Sequence, residues 1–268
     1  MKYLKIGEFC SMLGVTPDFV KHYEKYGLIQ PVSSESGYRY FRPEDCANVI
    51  ECLKYRSLGF SLSEMANLIN LQDVEEYQNI LEKRCGEIEK GIQYQNAVLT
   101  EFMYLSQRIF SSVDEWSIKK LRGTYYLPHL IDGKLNTHPD TIKVFSEWVN
   151  KQPLTKPCNR TKLREDGTLD MKTSSEGLLL YEKHAQMLDL PLDSPVCWAP
   201  LRKCFMLNTK ITVSKSFNNT VELAFNKAIE IMREHRFEPC DYVEIQRYHS
   251  VEDDREVAQY CLITIPIK

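Results

Sequence analysis

Nowhere in the 268 residues does an apolar run approach the roughly 18 needed for a helix to cross a bilayer. The opening MKYLKIGEFCSML also lacks the layout of a signal peptide. A membrane-spanning helix is excluded, and a cytoplasmic chain with no membrane partner is expected. None of the nine cysteines forms a C-x-x-C pair, and their odd number excludes a complete disulfide framework. Most are expected to be buried as small apolar residues. A surplus of positive charge is absent too. With 34 bases against 37 acids the net charge is −3, which excludes binding to nucleic acid through bulk charge but leaves room for a local basic patch. What is present is ordinary for a folded protein, 43% hydrophobic and 26% charged residues. The length exceeds one typical core, so two domains or more are expected.

The first seventy residues are dense in helix signals. YLKIGEFCSML places Ile6, Phe9 and Leu13 at helical spacing, and Gly14 follows where such a helix ends. A second helix begins at once, with Thr16 as N-cap, Pro17 at the first helical position and Asp18 near the positive helix terminus. Two short helices joined by a tight turn make a helix-turn-helix candidate. IQPVSSESGYRYF then supplies turn residues followed by the alternation Tyr38, Arg39, Tyr40, Phe41, read as a hairpin or wing. RPEDCANVIECLKYRSL reads as a third helix and SLSEMANLIN as a fourth, with Ser61 and Glu64 forming its capping box.

From Asp73 to Phe110 the pattern is one long helix. Val74, Tyr77, Leu81, Ile88, Val98, Phe102, Leu105 and Ile109 fall on an imperfect heptad seam interrupted at Arg84, Gly91 and Gln95. Two readings stand: a coiled coil between two subunits, or an amphipathic helix packed on its own domain. Beyond it, IKKLRGTYYLPHL and LRKCFMLNTKITVS are strand-like, HPDTIKVFSEWVNKQ and NTVELAFNKAIEIMREHRF are helical, and YVEIQRYHS and EVAQYCLITIPI are strands. GTLDMKTSSEGLLLYEKHAQML is read as containing strands. The order repeats, so the fold class is α+β. A winged helix-turn-helix spans 1–72, a dimerisation helix 73–113, and a domain of two β-α-β-β units 114–268.

KIGEFCSMLGVTPDFVKHYEKYGLIQP, SGYRYF and LGFSLSEM, in this order and spacing, resemble the MerR family of transcription regulators. The resemblance covers about the first seventy residues. It implies promoter DNA and RNA polymerase as partners and an antiparallel dimerisation helix, hence a homodimer. It also implies a DNA interface of Thr16, Lys21, His22, Tyr23, Tyr38, Arg39, Tyr40, Arg42 and Lys54. Lys21, Arg39, Arg42 and Lys54 would share one face and contact phosphates, with Arg56 either a further contact or a solvated base. His22 departs from the family's more usual tyrosine, which leaves that one contact's identity open. By the same resemblance, the dimer sits on a promoter with an overlong spacer and distorts it when a ligand binds. Such deformation costs a few to about 10 kcal/mol.

The C-terminal pattern resembles the GyrI-like effector domain of the multidrug-sensing branch. This implies a lipophilic, cationic ligand held at Glu244 in PCDYVEIQRYHS, where strand alternation puts Tyr242 and Glu244 on one face and Val243 and Ile245 on the other. A carboxylate would attract the cation and aromatic faces would add cation–π attraction. Tyr126, Tyr181 and Tyr260, with Trp148 and Phe205, complete the expected pocket. The alternative for Glu244 is an exposed strand carboxylate paired with Arg247 or a neighbouring strand. Two further alternatives are a metal- or redox-responsive regulator using Cys85, and a GyrI-like hydrolase with Glu244 as general base. No metal or cofactor is expected, and the chain is not expected to be an enzyme. A metal-sensing cysteine loop and a tight cysteine cluster are both absent, and no obvious nucleophile or second acid accompanies Glu244.

Overall fold

A computed structural model describes residues 3–34, 37–110, 114–214, 219–252 and 255–268, and only the backbone of residues 109, 110 and 214. Glu35 and Ser36 at the expected hairpin tip, residues 111–113 at the expected end of the dimerisation helix, and the side chain of Ile109 lie outside this description. The chain divides into two compact units, Met1–Glu89 and Lys90–Lys268.

The first unit starts with a strand that the sequence reading did not anticipate, β1 (Leu4–Lys5), before α1 (Ile6–Leu13). Gly14 takes the left-handed conformation, φ 66°, that lets α1 stop. Thr16 caps α2 (Pro17–Lys25), its Oγ1 accepting from the Phe19 N–H at 3.1 Å. β2 (Val32–Ser33) and β3 (Arg39–Phe41) form the wing, and β1 joins it to give the order β1-β3-β2. α3 (Pro43–Ser57) and α4 (Leu62–Asn70) follow. The capping box of α4 is formed: Glu64 Oε2 accepts from the Ser61 N–H at 2.7 Å. Phe9, Val20, Phe41, Val49, Cys52 and Met65 make the core, with the Phe9 and Phe41 rings stacked 4.3 Å apart.

α5 (Val74–Phe110) is continuous. Its residues serve two purposes, which divides the expected seam. Tyr77 and Leu81 pack on the first unit's core, and Val98 on a core of the second. Ile88, Ile92, Leu99, Phe102 and Met103 are exposed.

The second unit is built on one antiparallel sheet. Its elements are β4 (Glu115–Leu121), β5 (Thr124–Ile131), β6 (Lys134–Leu135), α6 (Pro139–Val149), β7 (Thr155–Lys162), β8 (Ser175–Tyr181) and α7 (Glu182–Leu188), then β9 (Cys197–Ala199), β10 (Arg202–Ser214), α8 (Thr220–Glu234), β11 (Tyr242–Glu252) and β12 (Glu256–Pro266). The strand order is β4-β10-β12-β11-β7-β8-β5-β6, with β9 beside β5. Thus β5-α6-β7-β8 and β10-α8-β11-β12 are the two repeats, and they meet where β7 pairs with β11. Three details differ from the sequence reading. IKKLRGTYYLPHL is two strands that break at Arg122–Gly123, the segment read as containing strands holds β8 but ends in the helix EKHAQML, and β7 is a full strand.

Alternation sorts the sheet's residues. Val243, Ile245, Phe205, Leu207, Ile263 and Ile265 form a core with Ala224, Ala228 and Met232 of α8. Leu127, Leu178 and Leu180 form another with Val144 and Trp148 of α6. The opposite face carries Tyr126, Cys158, Leu179, Arg160 and Glu244. Gly177 of β8 has no room for a side chain there: a Cβ would lie 2.4 Å from the Leu127 carbonyl oxygen and 2.8 Å from Tyr126 Cζ. Gly177→Ala is therefore expected to lower stability by about 1–3 kcal/mol and displace the Tyr126 ring. Thermal unfolding and the near-ultraviolet tyrosine signal would check this.

Candidate functional sites

In the first unit the exposed side of α2 carries Thr16, Lys21 and His22. Lys21 reaches Asp18 at 3.3 Å, an exposed pair of little energetic weight. Tyr38 on the wing is 70% exposed. Arg39 is exposed beside it and reaches Glu24 of α2 at 3.4 Å, tying wing to helix. Lys54 lies exposed at the end of α3, its ammonium 4.4 Å from the Tyr55 ring centre.

Three expected contacts have different surroundings. Tyr23 is only 3% exposed, its ring stacked on Phe19 at 4.0 Å, so it is a core residue of α2 rather than a surface contact. Tyr40 is half-buried. Arg42 caps α3: its N–H donates to Asp45 Oδ2 at 2.7 Å and its Nη2 to Oδ1 at 3.2 Å, holding a fully buried carboxylate. Arg56 is exposed, 5.7 Å from the Phe19 ring centre and beside Tyr23, which brings it next to α2. Its spacing in sequence gave no sign of this, because the contact is between helices.

In the second unit β7 and β11 bring Glu244 opposite Arg160. Glu244 is 3% exposed. Its Oε1 accepts from Arg160 Nε at 2.9 Å and also from Nη2. The guanidinium carbon lies 4.3 Å from the Tyr126 ring centre and 4.7 Å from that of Tyr242. Tyr126 is fixed by its hydroxyl, which meets the Ser175 carbonyl oxygen at 3.1 Å and Ser175 Oγ at 3.0 Å. Burial pushes the phenols of Tyr126 and Tyr242 up and takes Tyr181 up to about 12, so all three stay neutral.

Glu244, Tyr126 and Tyr242 therefore surround a cation, and the chain itself supplies it. Arg160 fills the place assigned to a ligand cation, and Glu244 has a neighbouring-strand partner, as in its alternative, but is buried rather than exposed. A second pair repeats the arrangement along β7. Lys156 contacts Glu101 of α5 and lies 4.9 Å from the Tyr181 ring centre and 5.5 Å from that of Tyr104. Burial lowers the Lys156 pKa, and the Glu101 carboxylate opposes that shift.

Above the first pair is an open groove of about 1090 Å³, ample for a drug-sized ligand. Arg160, Tyr126 and Tyr242 line it, as do Pro128, Ile131 and Pro239. A smaller cavity of about 260 Å³ lies over the second pair, lined by Glu101, Tyr104, Leu105, Arg108, Lys156 and Tyr248 among others.

Of the expected effector residues, Tyr126, Tyr242 and Glu244 converge. Tyr181 stands next to them, its hydroxyl accepting from Gln246 Nε2 at 3.2 Å. Tyr260 lies further along β12, 6.0 Å from His249, and lines neither cavity. Trp148 and Phe205 are corrections. Both are fully buried on the helix-covered side, Trp148 donating from Nε1 to the Pro191 carbonyl at 3.1 Å and Phe205 stacking with Trp116 at 5.8 Å. Cys85 is exposed on α5, 3.9 Å from Glu89. Among the described residues no group of three or more His, Cys, Asp or Glu is placed to hold a metal. No helix among them is long and apolar enough to cross a membrane.

Comparison with known proteins gives the following. The MerR HTH family regulatory protein pattern matches residues 4–72. The HTH-type transcriptional regulator ZntR homolog of Haemophilus influenzae is 31% identical over 124 residues, which are 44% of this chain and 91% of that protein. The Multidrug-efflux transporter 2 regulator of Bacillus subtilis is 28% identical over 120 residues, 42% of this chain and 44% of that one. A solved EcmrR–DNA complex covers 99% of both chains at 15% identity with a TM-score of 0.39.

Breaking a buried ion pair by removing one partner costs about 3–5 kcal/mol, because the other charge is stranded. Arg160→Met is expected to show that loss. Combining it with Glu244→Leu is expected to recover most of it. Urea unfolding of the two single variants and the double variant checks this; additive losses would contradict the coupling.

Proposed function

The chain belongs to the MerR family of helix-turn-helix regulatory proteins, and from that premise we propose that it is a ligand-responsive homodimer whose C-terminal unit senses a small aromatic molecule. DNA binding and transcription regulation follow from the family. The finer reading divides the chain into a winged helix-turn-helix over 1–72, a dimerisation helix over 73–113 and a GyrI-like effector domain over 114–268.

The observation that carries the sensing reading is the groove over Tyr126, Tyr242 and Arg160. It is a concave site with a few fixed polar groups, as a small-molecule site requires. The two β-α-β-β repeats and the single sheet they form support the GyrI-like reading. The exposed Ile88, Ile92, Leu99, Phe102 and Met103 on α5 support dimerisation, since such a row of apolar residues on one helix suits a partner helix. An RNA polymerase partner and a distorted long-spacer promoter come from the family resemblance. A ligand switches the dimer only by binding its activating conformation better than its resting one.

Regulation is favoured over catalysis at this site. Glu244 is already engaged by Arg160, and burial raises the nearby Cys158 thiol well above its ordinary value, so it supplies no thiolate nucleophile.

DNA binding at Lys54 and Arg39 has a defined signature. Lys54→Ala and Arg39→Ala are each expected to weaken binding to a selected duplex across sequences. Each should reduce the slope of log affinity against log salt by about one. Fluorescence anisotropy across a salt series checks this, and an unchanged slope would remove the residue from the phosphate contacts. Leu99→Asp is expected to convert a dimer to a monomer in light scattering and to lose half-site cooperativity. A dimer that survives would move the interface off this face of α5.

A further inference from the structure

The electrostatics of the groove argue for a ligand of the opposite sign to the one the family resemblance implies. Six bases line it, Arg160, Lys162, Arg164, Lys172, Arg202 and Lys268, against two acids, Glu165 and Asp241. Arg202 and Asp241 pair with each other, Arg164 reaches Asp170 at 3.6 Å and Lys268 reaches Glu238 at 3.3 Å, so the excess of positive charge rests on Arg160, Lys162 and Lys172. Glu244 is not part of the lining. It lies beneath Arg160, 3% exposed, with its oxygen already accepting two hydrogen bonds from the guanidinium. A ligand cation entering the groove meets the guanidinium first. To reach the carboxylate it must remove Arg160 from Glu244 and from both tyrosine faces together, leaving a second positive charge beside its own.

An anion meets the reverse situation. Arg160 uses Nε and Nη2 toward Glu244, and the residue still lines the groove, its side chain 12% exposed against 4% for Glu244. Its charge is held in place by the carboxylate behind it and by the rings of Tyr126 and Tyr242 at 4.3 and 4.7 Å. Such a fixed donor needs no reordering to meet a carboxylate or sulfonate, and charge-assisted hydrogen bonds of this kind are among the stronger ones. Lys162 adds positive potential at the rim, while Pro128, Ile131 and Pro239 supply apolar wall for a ring system.

We infer that the groove over Arg160 takes an aromatic anion, an aryl carboxylate or sulfonate. Arg160 is its anchoring residue, and Glu244 is a positioning residue that orients the guanidinium. This rests on the effector-binding reading above and names the class of ligand.

The test uses the full-length protein and two probes with the same ring and opposite charge, pyrene-1-sulfonate and (pyren-1-ylmethyl)trimethylammonium, followed by their own fluorescence anisotropy. The wild type is expected to bind the sulfonate at least roughly tenfold more tightly than the ammonium. The double variant Arg160→Gln/Glu244→Gln removes both charges together, so neither is stranded, and thermal unfolding verifies that it is folded. It is expected to lose the preference. Arg160→Lys is expected to retain the sign of the preference with weaker binding, and Tyr242→Ala to weaken the sulfonate.

A wild type that binds the ammonium as well as or better than the sulfonate overturns the anion assignment while leaving the effector reading intact. A preference that survives unchanged in the folded double variant overturns the assignment to Arg160. Failure of the wild type to bind either probe overturns the inference and the effector reading together.

Discussion

Between β7 and β11 a carboxylate and a guanidinium are buried against each other, and the two halves of the C-terminal sheet meet at that pair. Glu244 and Arg160 are opposite residues in the register, so their contact lies on the seam between the two β-α-β-β repeats. On the helix-covered side the neighbouring Val243 and Ile245 belong to the apolar core. One alternation of side chains thus supplies a packed layer below and a charged, aromatic layer above. Two ions out of water are tolerated because each satisfies the other and two tyrosine rings flank the cation. Of the pair, the arginine lines the groove and the glutamate does not, and the inferred ligand class rests on that.

The first unit uses a different economy of interactions. Its charges are mostly exposed and paired at the surface, as with Lys21 and Asp18 or Arg39 and Glu24, so they contribute little to stability. Among the unit's described residues buried charge is confined to Asp45, which Arg42 holds at the start of α3. α5 likewise divides its residues by use. Some faces pack on their own unit, while Ile92, Leu99 and Phe102 are left to solvent in the single chain. The heptad reading joined Tyr77, Leu81 and Val98 with the exposed Ile88 and Phe102, and it did not include Ile92, Leu99 or Met103.

Local chemistry decides how much of this was legible. Gly14 after α1, Thr16 before α2 and the Ser61–Glu64 box set the helix boundaries within a few residues, and those signals read correctly without tertiary information. The alternation that put Tyr242 and Glu244 together in β11 is equally local. Arg160 was not legible. Pro157 and a run of polar residues disguise β7 as loop, and its partner lies 84 residues away in the chain. Trp148 and Phe205 failed for a related reason. An aromatic side chain signals burial, but the side of the sheet it enters is fixed by packing of α6 and α8, which single-residue properties do not encode.

The account's central claim is that occupancy of the Arg160 groove alters transcription from DNA bound by the N-terminal unit. In vitro transcription from a promoter bound by the full-length protein tests it most directly. RNA polymerase is supplied, and aryl sulfonates and carboxylates are added at concentrations that saturate the groove. The account predicts a several-fold change in transcript with the wild type and none with the folded Arg160→Gln/Glu244→Gln protein. Unchanged output from the wild type at full groove occupancy, on a promoter it demonstrably binds, would contradict it.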